Sequence, residues 1–131
     1  MLAEPQKERL ALARRLRETA DRSEQELRDA LSRSYYSIYH VARAWVGPAT
    51  GKLGHGRLRA RVQGKDAQLA QTMRELYRFR ERADYDPEMV VREYDGDLER
   101  FRLAVNRELE RARAVYDLIC EKIARESAGG L

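Results

Sequence analysis

Residues 27–46 read Leu27-Arg28-Asp29-Ala30-Leu31-Ser32-Arg33-Ser34-Tyr35-Tyr36-Ser37-Ile38-Tyr39-His40-Val41-Ala42-Arg43-Ala44-Trp45-Val46. Within them Leu27, Leu31, Ser34/Tyr35, Ile38, Val41/Ala42 and Trp45 recur every three or four residues, the period of a helix with one buried face. This stripe predicts a helix from about Asp21, a residue type suited to an N-cap, to Val46, with Gly47-Pro48 as its stop. The polar positions of the same run carry Arg33, Tyr36, His40 and Arg43, spaced three, four and three apart, so they share a second face.

Toward the N-terminus, Leu10, Ala13, Leu16 and Ala20 predict a separate amphipathic helix from Glu4 to about Ala20, with Pro5 near its start. On the other side, Ala49 to Gly64 holds Gly51, Gly54, Gly56 and Gly64 and shows no clear period beyond one turn at His55 to Val62, so a mobile loop is expected there. Asp66 then caps a third helix whose stripe is Leu69, Met73, Leu76, Arg80 and Ala83. Asp84 to Val91 is a connection, because Pro87 disfavours helical geometry at Asp86. The last helix begins between Pro87 and Asp97, and Tyr94, Leu98, Phe101, Val105, Leu109, Ala112, Tyr116, Ile119 and Ile123 carry its stripe. An exposed part of that stripe would suit a dimer seam.

These elements give an all-α fold, an antiparallel up-and-down bundle of four to five helices. The expected organisation is a single domain over residues 1–126 followed by a disordered tail at 127–131. With 131 residues the chain can bury a core without metals or disulfides. Cys120 is the one cysteine; beside Leu118, Ile119 and Ile123 it reads as a buried thiol, and a reducing compartment follows from the lack of any intrachain disulfide. No apolar run reaches membrane-spanning length and the N-terminus is too charged for a secretory signal, so a cytoplasmic protein is expected. His40 and His55 lack a second ligand at metal spacing, so neither a metal nor another cofactor is expected.

Charge is distributed unevenly. Ala30 to Lys65 contains no Asp or Glu but has seven basic residues, Arg33, Arg43, Lys52, Arg57, Arg59, Arg61 and Lys65, in a chain of net charge +4. Such a one-signed stretch attracts polyanions. Of the 26 basic residues 22 are Arg, whose planar fork suits phosphate. Three constellations stand out. The first is Arg33, Tyr36, His40 and Arg43, which combine phosphate donors with a group that exchanges protons near neutral pH. The second is Arg80 with Asp84 and Tyr85, because a charge inside an apolar stripe needs a partner or a function. The third is the loop bearing Lys52, His55, Arg57, Arg59 and Arg61, a flexible clamp for a polyanion.

Taken together, Ser32 to Ala44 resembles the "SRAYYAxFHAARA" helix of the HEPN domains, in their small stand-alone bacterial and archaeal branch. Gly54-His55-Gly56 resembles the loop histidine of that branch, and Arg80-Glu81-Arg82-Ala83-Asp84-Tyr85 its "R-x-x-ADY" ending. The resemblance implies a helical bundle, often a homodimer, frequently encoded beside a minimal nucleotidyltransferase as a toxin and antitoxin pair. It also implies metal-independent RNase activity in members that carry Arg, four to six residues, then His near the end of the penultimate helix. Here Arg80 is followed at those positions by Tyr85, Asp86 and Pro87, so the family's histidine is absent.

Three functions are therefore expected in this order. The first is a non-catalytic module that binds RNA or a nucleotide through the basic residues named above. The second is an RNase toxin with His40 as the general base and Arg80 or Arg33 stabilising the phosphate. The third is an interaction protein whose basic surface docks an acidic nucleotidyltransferase and touches no nucleic acid.

Overall fold

A computed structural model describes residues 3–47 and 54–129, without side-chain detail at positions 13, 16, 17, 19, 20, 21 and 55. The described residues form α1 (Glu4–Val46), α2 (Gly54–Lys65), α3 (Ala67–Tyr85), α4 (Met89–Tyr94) and α5 (Leu98–Gly129), with no strand among them.

α1 runs unbroken for 43 residues, about 65 Å at 1.5 Å per residue. The two separate helices expected on either side of Asp21 are thus one. Between Pro5 and Gly47 there is neither Gly nor Pro, and an Asp inside a helix costs well under about 1 kcal/mol, too little to break it. A cap residue acts only where the backbone is already leaving helical geometry. The described side chains from Ala3 to Arg22 are exposed, with Leu10 and Leu12 at 56% and 51%; those of Ala13, Leu16 and Ala20 lie outside the described ones. Just beyond it, Glu24 and Arg28 pair at 2.6 Å across one turn. Gly47 ends the helix at φ 89°, a value that favours glycine, with its N–H donating to Arg43 O at 2.9 Å.

The segment expected as a loop is helical from Gly54. Leu58 and Val62, four residues apart, are buried at 1% and 0%. Gly56 and Gly64 fall on its exposed side, each costing about 1 kcal/mol of propensity, while burying Leu58 and Val62 contributes about 1.5–3 kcal/mol apiece. Burial therefore wins. Lys52 lies outside the described residues.

Asp66 caps α3 as expected, accepting from the Leu69 N–H at 3.0 Å, and its carboxylate also pairs with Lys122 of α5 at 3.4 Å. The start of the last helix is settled at Leu98. Asp95 adopts the left-handed conformation and Gly96 follows at φ 72°; Asp97 then accepts from the N–H groups of Glu99 and Arg100 at 3.0 and 3.3 Å. Tyr94, expected inside the last helix, instead closes α4 and leans on Phe101 with ring centroids 5.5 Å apart. α5 continues to Gly129, so residues 127–129 of the expected tail are helical. Cys120 is exposed on α5, because the buried stripe passes through Ile119 and leaves position 120 on the outside.

Two apolar clusters hold the bundle. One gathers Ile38, Trp45, Leu58, Met73, Leu76 and Ile119; the other gathers Leu31, Phe79, Met89, Phe101 and Val105. Leu31 meets Phe101 and Val105, whereas Trp45, fourteen positions later, donates from Nε1 to Glu126 at 3.0 Å. α1 and α5 thus run parallel. α3 runs against both, since its start meets Lys122 and its end meets Arg28, which donates to Ala83 O. The long helices alternate in direction along the chain, and the first and last become parallel neighbours rather than antiparallel ones.

Candidate functional site

α1 and α3 bring together the most distinctive polar group of the molecule. Arg80 Nε lies 3.1 Å from Asp84 Oδ2 and donates to Ser32 Oγ at 3.4 Å, while its Nη2 reaches Tyr36 Oη at 3.5 Å. Ser32 Oγ donates to the same Asp84 oxygen at 3.3 Å. The Arg80 guanidinium lies 5.1 Å from the Tyr36 ring centroid and 5.8 Å from that of Tyr35. The expected Arg80–Asp84 pair exists, and Ser32 joins it, a residue that its small neutral side chain kept from notice. Because Asp84 neutralises Arg80, this arginine holds Tyr36 in place more than it attracts an anion.

Beside this pair the cations and phenols alternate over one surface. Arg43 stands 5.7 Å from the Tyr39 ring centroid, and Arg59 of α2 stands 4.9 Å from that of Tyr77 on α3. Tyr35 links them underneath, its ring 5.3 Å from Tyr77 and 6.0 Å from Tyr36. The acid-free stretch thus contributes Tyr36, Tyr39, Arg43 and Arg59 to one face, and α3 contributes Tyr77 and Arg80. Tyr77 escaped the sequence reading because a lone tyrosine between Leu76 and Arg78 carries no pattern of its own. An acid hydrogen-bonded to its phenol, Glu81, raises its pKa above the usual tyrosine value.

Burial pushes the Tyr35 hydroxyl up to about 12, with Arg59 and Arg80 acting against the shift. An unfolded tyrosine ionises near pH 10. A pKa raised by folding means stability that is complete below about pH 10 and lost as pH rises through about 12. We expect the seven tyrosines to show, in a spectrophotometric titration, a latest component after the raised Tyr77 and Tyr94, and that latest component to vanish in Tyr35→Phe. An unchanged titration in the variant would contradict this placement.

The remaining expected site residues are scattered. His40 sits on the outer ridge of α1, its ring 5.8 Å from Tyr39, and lines a groove of about 1040 Å³ between α1 and α5 together with Ser37, Glu110, Arg113 and Tyr116. No contact joins it to Arg80 among the described residues. Tyr85 is 76% exposed and stands five positions from Arg80, on a different side of α3. Arg33 and Arg57 are exposed. Arg61 donates to Gly47 O at 3.4 Å, tying α2 to the end of α1. The side chain of His55 lies outside the described residues. No group of three or more His, Cys, Asp or Glu is placed to hold a metal ion among the described residues. No helix in that set is long and apolar enough to cross a membrane.

Chemically, the face offers planar donors for phosphate and aromatic rings for bases, and its carboxylates Asp84 and Glu81 are engaged by Arg80 and Tyr77. Comparison of the chain with protein-family models, with curated proteins and with solved structures finds no match.

Proposed function

We propose that this chain is a HEPN-like helical module that binds single-stranded RNA or nucleotides without cleaving them. In the setting the resemblance implies, it acts in the cytoplasm as a homodimer and as a toxin–antitoxin component beside a minimal nucleotidyltransferase. One observation carries the reading: Arg43 and Arg59 each lie on a tyrosine across a face of α1, α2 and α3 that also presents Tyr36, held there by the Asp84-paired Arg80. Arginines that track a backbone and aromatic rings that take bases are the two parts of a sequence-tolerant single-strand site.

The RNase reading ranks second. It requires His40 and Arg80 in one cleft, whereas His40 lines the α1/α5 groove and Arg80 is held by Asp84. Titrating a fluorescent single-stranded RNA at several salt concentrations, with intact length checked on a gel, tests the proposal. The expected result is binding that weakens steeply with salt and leaves the RNA whole. No binding of this RNA, nor of a mononucleotide titrated in its place, even at low salt would overturn it, and would favour a surface that docks a protein partner instead.

A further inference from the structure

α2 and α3 enclose a second polar cleft, of about 290 Å³, near the small end of ligand pockets. Its floor is small-chained, with Gly56, Ala60 and Ala70, and its walls carry Arg59 and Gln63 from α2 and Gln71 and Arg74 from α3. No Asp or Glu lines it. The acid next to Arg74, Glu75, is engaged by Arg111 and accepts from Gln71 Nε2 at 3.3 Å.

Among the described residues neither cation of the cleft forms an ion pair. No hydrogen bond or ion pair of Arg74 occurs among the described residues. Arg59 rests on Tyr77, and its Nη1 is buried without a hydrogen-bond acceptor, a state that buried donors rarely keep. A lysine pair would make a diffuse positive patch. Two arginines and two glutamines lining one small-residue cleft instead suit a compact multivalent oxyanion.

We propose that the α2–α3 cleft is a subsite for a terminal phosphate monoester, of a mononucleotide or of an RNA strand. Arg59 belongs to both the cleft and the tyrosine face, so a nucleotide seated by its phosphate has its base directed toward Tyr77. The inference deepens the RNA-binding reading and rests on it for the nature of the strand, but not for the anion chemistry.

Calorimetric titrations at low salt with adenosine, AMP, and one RNA oligomer in 5′-phosphate and 5′-hydroxyl forms test it. AMP is expected to bind at least about tenfold more tightly than adenosine, or the 5′-phosphorylated RNA at least about tenfold more tightly than its 5′-hydroxyl form. The first preference alone assigns the cleft to mononucleotides and the second alone to strand ends. Arg74→Gln, on the exposed surface, is expected to bring both ratios near one without lowering the melting temperature or the affinity for 5′-hydroxyl RNA. Ratios near one in the unaltered protein, or a preference that survives Arg74→Gln, would overturn the subsite. Binding of RNA without any phosphate preference leaves the broader reading standing and removes the cleft; phosphate-dependent binding of AMP with no binding of RNA keeps the cleft and removes the RNA half of that reading.

Discussion

Phe101→Ala is expected to lower the free energy of unfolding by about 3–5 kcal/mol, read as an earlier denaturant midpoint at unchanged slope. Phe101 is fully buried where α5 meets α1, the end of α3 and α4; Leu31, Phe79, Met89 and Val105 share its cluster. Truncating the ring removes its transfer free energy and leaves a void that surrounding helices can fill only in part. Domains of this size are stable by roughly 5–15 kcal/mol, so the loss is a large fraction of the total. Leu103, two positions on, is 62% exposed, and Leu103→Ala should stay within about 0.5 kcal/mol. Equal losses at the two positions would mean that α5 presents a different face to the core.

Tyr36→Ala is expected to weaken single-stranded RNA binding by about 1–3 kcal/mol, roughly 5- to 150-fold, if a base stacks on that ring. The ring is 41% exposed, so its removal should leave the fold intact. Its effect should be independent of salt. Arg43→Ala combined with Arg59→Ala should act differently, flattening the dependence of log K on log salt by about 1.4 for two lost phosphate contacts on a single strand. Separating the two effects distinguishes base stacking from phosphate attraction. Unchanged affinity in Tyr36→Ala would reduce the face to a generic basic patch.

Much of the fold is legible in the sequence, and the misreadings have physical causes. The stripes through Ile38 and Trp45, through Leu69 and Met73, and through Phe101 and Ile119 all become buried faces, because each keeps its period over several turns. The break expected at Asp21 rested on a capping residue without the glycine or proline that ends a helix. α2 was hidden by glycines, since two buried residues, Leu58 and Val62, are too few to display a period. That error had a consequence for the site. Reading residues 49–64 as a loop hides the register that sets Arg59 and Gln63 on one wall, so the cleft with Arg74 was not foreseeable. By contrast, the meeting of Tyr36, Arg80 and Asp84 was foreseeable, because a charge in an apolar stripe demands a polar neighbour.

Photo-crosslinking a 4-thiouridine-substituted single-stranded RNA to the protein, followed by peptide mapping, tests the central claim most directly. Crosslinks on the peptides carrying Tyr36, Tyr39 and Tyr77, competed away by unlabelled RNA, are the result the Arg–Tyr face requires. Crosslinks confined to α5, or spread evenly over the basic surface, would contradict it.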